Sequence, residues 1–84
     1  MKPNRPYFLW DYNLTEADVR RILDGKNDVE RRWLIGRILT HAHFSDIWKY
    51  LKPSQIADQL ATLRLRPDLK RIWNKTLKIW GYAV

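Results

Sequence analysis

The 84 residues contain no cysteine, which excludes disulfides, zinc–thiolate sites and thiol nucleophiles. A small secreted domain usually depends on disulfides, so a cysteine-free chain of this size points to a reducing cytosol. Long apolar runs are missing too. Nothing approaches the ~20 consecutive apolar residues of a membrane span. Residues 1–12 mix Lys, Arg, Pro and Asp with aromatics and lack the apolar stretch of a signal peptide. Three glycines and four prolines are too few for a glycine-rich phosphate loop. They read as punctuation between helices. Neither long alternating runs nor hairpin turns between β-rich segments occur, and Asp24-Gly25 reads as a helix end, so no sheet is expected. No serine lies in a nucleophile elbow. The carboxylates Asp24, Asp28 and Glu30 look like caps and charge partners, not an acid/base pair. His41 and His43 are the only histidines, and their spacing does not place two metal ligands on one helix face. The expectation is therefore a chain that binds rather than catalyses, with no metal and no cofactor.

What remains is a single small domain, 1–84, whose core is marginal: a chain this short buries only about 60% of its unfolded surface. Five tryptophans supply bulk, since each large aromatic buries roughly 150–250 Å². Either all five are core, or one or two anchor a partner. The net charge of +7 is uneven. Residues 1–42 hold eight Lys/Arg against six Asp/Glu, and residues 43–84 hold eight against three. Basic charge concentrated in one half suits a polyanion or an acidic protein, and equally suits a solubilising face.

The apolar periodicity predicts an all-α bundle of about five short helices over 14–81, preceded by an extended aromatic arm over 1–13. Pro3 and Pro6 disfavour helix before them. The cluster Tyr7, Phe8 and Trp10, with Asp11, either covers core or forms a hook offered to a protein partner. A first helix over 15–24 is capped by Thr15 with Asp18 in a capping-box variant, Leu14 and Val19 form the staple, and Gly25 stops it in a left-handed conformation. A second helix from 27 or 28 to 42 opens on Asn27 and Glu30. It carries one stripe of Leu34, Ile35, Ile38, Leu39 and Ala42. Val29, Trp33 and Gly36 lie on another side, so this helix is expected to be central, with Gly36 allowing close helix approach. Short helices follow over 45–51, capped by Ser45, and 54–63. A last helix from Pro67 to Trp80 has Leu69, Ile72, Trp73, Leu77 and Trp80 inward and Gly81 as its stop.

The polar face of that last helix is the strongest functional feature. Lys70, Arg71, Asn74, Lys75 and Lys78 lie opposite the apolar stripe, and Arg64 and Arg66 precede them. From 64 to 78 there are six basic residues against Asp68 alone. Such a face can contact a phosphate backbone, with Asn or Arg at base edges. The last two helices also have the rough lengths of a helix-turn-helix. Solvation of the domain and docking to an acidic protein are the alternatives.

Two resemblances add to this. Arg37-Ile-Leu-Thr-His-Ala-His43 is similar to the active-site motif of the HEPN ribonucleases, which implies Arg37 and His43 at a scissile phosphate. That family usually has a polar residue after the Arg, where this chain has Ile38. Three further pieces occur in order: Phe8-Leu9-Trp10-Asp11, then Trp33-Leu34-Ile35-Gly36-Arg37-Ile38-Leu39, then Leu69, Trp73, Leu77 and Trp80. Together they resemble a family of small bacterial helical proteins often encoded beside AbiEii-like nucleotidyltransferase toxins. The resemblance implies an antitoxin-like or accessory protein that binds a toxin as its partner, with Phe8, Trp10, Asp11 and Arg37 carried over. Oligomeric state is not set by anything in the sequence.

Overall fold

A computed structural model describes residues 5–83. Among them are five α-helices, two 3-10 turns and no strand, an all-α bundle of short helices. The extended reading of residues 1–4 lies outside the described residues.

The helices are α1 (Glu16–Asp24), α2 (Asp28–His41), α3 (Phe44–Ile47), α4 (Pro53–Gln59) and α5 (Pro67–Ile79). Local chemistry sets most of their ends. Thr15 Oγ1 accepts from the Asp18 amide at 3.2 Å, and the Asp18 carboxylate accepts from the Thr15 amide at 2.9 Å. The Thr15 amide first, then the Arg21 guanidinium and the Thr15 hydroxyl, hold the Asp18 carboxyl below the usual carboxylate range. Asn27 Oδ1 accepts from the amides of Val29 and Glu30, which begins α2. At the far end of α5, Gly81 takes φ +93°, and Tyr82 donates its amide to the Leu77 carbonyl at 2.9 Å. Gly81 donates to Lys78, completing a Schellman ending that suits glycine.

One buried cluster joins all five helices. It takes Val19, Ile22 and Leu23 from α1, Leu34, Ile35, Ile38 and Leu39 from α2, Ile47, Ile56, and Trp73 and Leu77 from α5. Phe8 and Leu9 complete it from the N-terminal side.

Several expectations are corrected. The segment over 7–9 is not extended but a 3-10 turn, Tyr7–Leu9, because Phe8 and Leu9 gain more by entering the core than an open arm would. Gly25 has φ −78°, not a left-handed value. The third helix starts earlier than 45–51, at Phe44 with His43 before it, and Ser45 lies inside it. No side chain caps it, and the amide of its N-cap residue His43 donates to the Tyr7 hydroxyl at 2.7 Å. Pro53 opens α4, and the predicted helix over 54–63 ends at Gln59, followed by a 3-10 turn, Leu60–Thr62. The second apolar side of α2 is not central: Val29 and Trp33 are exposed. Nor does Gly36 mediate a tight crossing, since an added Cβ would only touch Leu65 Cδ2 at 3.9 Å, an ordinary contact. Ile72 is exposed rather than inward. Of the five tryptophans, Trp73 is buried, Trp48 half-buried, and Trp10, Trp33 and Trp80 exposed.

α1 is tied to the end of the α3 region by a hydrogen bond from the Tyr50 hydroxyl to Glu16 Oε2, at 2.8 Å. Burial first, and then the Glu16 carboxylate, push the Tyr50 hydroxyl up to about 12. An unfolded tyrosine ionises near about 10. Between those values the unfolded chain has released this proton and the folded chain still holds it. The contribution is therefore fully present below about pH 10 and is lost as the pH rises to about 12. Denaturant midpoints at about pH 9 and about pH 11 are expected to fall for the wild type and to fall less for Tyr50→Phe. An identical fall in both would mean that Tyr50 has no part in alkaline unfolding.

Candidate nucleic-acid interface

α5 follows Pro67, whose fixed φ suits a first helical turn, and its apolar stripe turns Trp73 and Leu77 inward. The opposite side is thereby turned to solvent. Lys70, Arg71, Asn74, Lys75 and Lys78, with Pro67, line a shallow groove of about 580 Å³ along it. Arg71, Lys75 and Lys78 are exposed, and among the described residues none has an ion pair or a side-chain hydrogen bond. The other predicted residues of this surface differ. Lys70 is half-buried, and its Nζ donates to the carbonyls of Ala61 and Leu63 at 3.2 and 3.3 Å, closing the 3-10 turn after α4. It is occupied by the fold. Arg66 lies 3.8 Å from Asp68 in an exposed pair, a weak restraint that leaves it free to exchange partners. Asn74 lines the groove half-buried. Arg64 is exposed but lines a different cleft, against α2.

The N-terminal candidates are tied inward. Phe8 is 1% exposed, with its ring edge-on to Tyr50 at 5.4 Å. The Tyr7 hydroxyl donates to Asp46 Oδ2 at 2.6 Å while accepting from the His43 amide. The Tyr7 bond, first, and Lys49 hold the Asp46 carboxyl low. Asp11 accepts from Arg37. Trp10 at 58% and Tyr7 at 47% keep exposed rings.

Arg37 organises this corner. Its Nε donates to the Phe8 carbonyl at 2.9 Å, and its Nη2 to Asp11. The guanidinium lies 4.5 Å from the centroid of Trp10 and 5.2 Å from that of Tyr12. His41 packs edge-on against Trp10, and the His43 ring lies against Tyr7. Arg37 is thus spent on holding the N-terminal turn to α2, and His43 sits in a different aromatic contact. Among the described residues no group of three or more His, Cys, Asp or Glu is arranged to hold a metal ion. No helix among them is long and apolar enough to cross a membrane.

Two surfaces escaped the sequence reading. One is an apolar strip of Phe44, Ile72, Ile79 and Trp80, all exposed. Phe44, Trp48, Trp73 and Trp80 pack there ring to ring, with centroids 5.4–6.4 Å apart. The signal was the second apolar direction of α5, Ile72 and Ile79, which share a face at i, i+7. The other is the cleft along the outward side of α2, whose signal was the position of Val29, Trp33 and Gly36 off the core stripe. No family model, curated protein or solved structure matches the chain.

Proposed function

We propose that this chain is a non-catalytic nucleic-acid-binding module whose contact surface is the basic face of α5. The observation that carries the reading is the set Arg71, Lys75 and Lys78, exposed on one helix face with no acidic partner among the described residues. From Arg71 to Lys78 the helix axis advances about 10 Å. Duplex DNA presents about six charges over that length. A face of fixed cations opposite such a charge density binds by releasing condensed counterions, without needing base contacts.

The test is a titration of the full chain with labelled duplex DNA and single strands at about 50 and about 200 mM salt. Three phosphate contacts give a slope near −2.7 on duplex, so affinity is expected to fall about 40-fold across that interval. Arg71→Glu, Lys75→Glu and Lys78→Glu together are expected to abolish binding while leaving the helical signal intact. Binding that ignores salt would sink the proposal.

A second reading is a protein-binding, antitoxin-like or accessory partner of a nucleotidyltransferase-type toxin. The exposed strip of Phe44, Ile72, Ile79 and Trp80 supports it, as does the resemblance in the Trp33–Leu39 stretch. No nucleic-acid binding even at about 50 mM salt would reduce the basic face to solvation and put this reading first.

A further inference from the structure

The outward side of α2 forms one wall of a cleft of about 630 Å³, and the segment at Thr62 and Arg64 forms the other. That volume is ordinary for a ligand site, about 300–1,000 Å³. Arg32, His41 and Arg64 line it, and no Asp or Glu does. Arg32 is steadied through its Nε, which donates to the Asp28 carbonyl at 3.2 Å, and its terminal nitrogens are left for a ligand. Arg64 is exposed and has no ion pair among the described residues.

Trp33 lines the same cleft, 37% exposed and braced by Tyr12, whose ring lies edge-on with centroids 4.8 Å apart. Gly36 follows one turn later on the same side. Glycine inside a helix costs about 1 kcal/mol relative to alanine. Neither a turn nor a close crossing requires it here, because a Cβ would meet only Leu65 Cδ2 at 3.9 Å. Gly36 lines the cleft together with Trp33.

A supported aromatic face flanked by cations and free of acids matches the chemistry by which unpaired nucleotides are held. Bases stack on the ring and phosphates meet the arginines. A duplex keeps its base faces inside its own stack, so it has no use for Trp33. We infer that this cleft seats one unpaired nucleotide of single-stranded nucleic acid, its base on Trp33 and its phosphate between Arg32 and Arg64. The inference rests on the nucleic-acid reading and deepens it, adding a strand preference that the α5 face does not supply. The two surfaces adjoin through one segment. Arg64 lines the cleft, while Lys70, in the α5 groove, bonds to the Leu63 carbonyl next to it.

The full chain is titrated at about 50 mM salt with oligo-dT, oligo-U and a duplex, each of about 12 nucleotides per strand. Both single strands are expected to bind, and the tighter of the two identifies DNA or RNA as the preferred strand. Trp33→Leu is expected to lower single-strand affinity by about ten-fold or more, the loss of one base stack, with the duplex titration unchanged. Trp33→Phe, which keeps a ring face, restores most of it. Arg32→Gln and Arg64→Gln each lower the single-strand salt slope by about 0.7. These two substitutions decide the matter at the surface even if Trp33→Leu proves unstable. Wild-type single-strand affinity in folded Trp33→Leu, with unchanged slopes in both arginine variants, overturns the inference and leaves the α5 reading standing. No binding of any oligomer overturns both.

Discussion

Phe8→Ala is expected to cost about 3–5 kcal/mol, the usual loss for a buried aromatic cut to alanine. At roughly 0.05–0.15 kcal/mol per residue, a domain of this size holds only about 4–12 kcal/mol of net stability. The substitution therefore removes a large share of it. Phe8 sits in the common core with Leu9, and neither has a route to relax outward, because Pro6 before them is also buried. Deleting residues 1–12 should go further and abolish the cooperative thermal transition. It removes Phe8 and Leu9 together with the Tyr7 bonds to Asp46 and His43 and the Asp11 bond to Arg37. Circular dichroism melts of both variants make the check. A truncated chain that keeps its helical signal and melts as before would show a detachable arm, and the segment would return as a surface for a protein partner.

Arg37→Ala is the second large effect. It removes the donor to the Asp11 carboxylate and the Phe8 carbonyl, and the cation beside the rings of Trp10 and Tyr12. Hydrogen bonds to charged groups contribute about 1.5–3 kcal/mol, and a partly exposed cation–π contact about 0.5–1. The Arg37 side chain is only 14% exposed, but its partner Asp11 is 46% exposed, so solvent offsets part of the lost ion pair. A loss of about 2–4 kcal/mol follows, or a melting temperature lower by on the order of 10–20 °C. Arg37→Lys keeps the charge but not the planar fork, and should recover less than half of the loss. The ribonuclease resemblance makes the opposite forecast: Arg37→Ala would leave the melt unmoved and abolish RNA cleavage. One pair of measurements separates a brace from a catalytic group.

What was legible in the sequence was mostly what is local. Thr15 with Asp18, Asn27 and Gly81 act on groups within a few residues of themselves, so their roles could be read directly. The Leu34, Ile35, Ile38 and Leu39 stripe followed from helical period alone. The basic face of α5 followed the same way, as the side opposite Trp73 and Leu77. Failures came where the deciding partner is distant in the chain. Tyr7 finds Asp46 across 39 positions, and nothing in the proline-spaced run 1–13 announces it. The Lys70 ammonium is claimed by carbonyls seven and nine residues back, on another element. α2 shows a third kind of error. Its two-sided pattern was visible, but among the described residues no further element covers the second side, and it faces a cleft.

The long-range ties of the N-terminal turn also set an order of events during synthesis. Tyr7 leaves the ribosome before its partner, since Asp46 follows it by 39 positions. At about 5–20 residues per second that is a wait of roughly 2–8 s. Until then Phe8 and Leu9 can pack only against the buried faces of α1 and α2, which emerge before Asp46, and the Tyr7 tie is still unmade. The N-terminal turn is thus locked late in synthesis, by residues far along the chain.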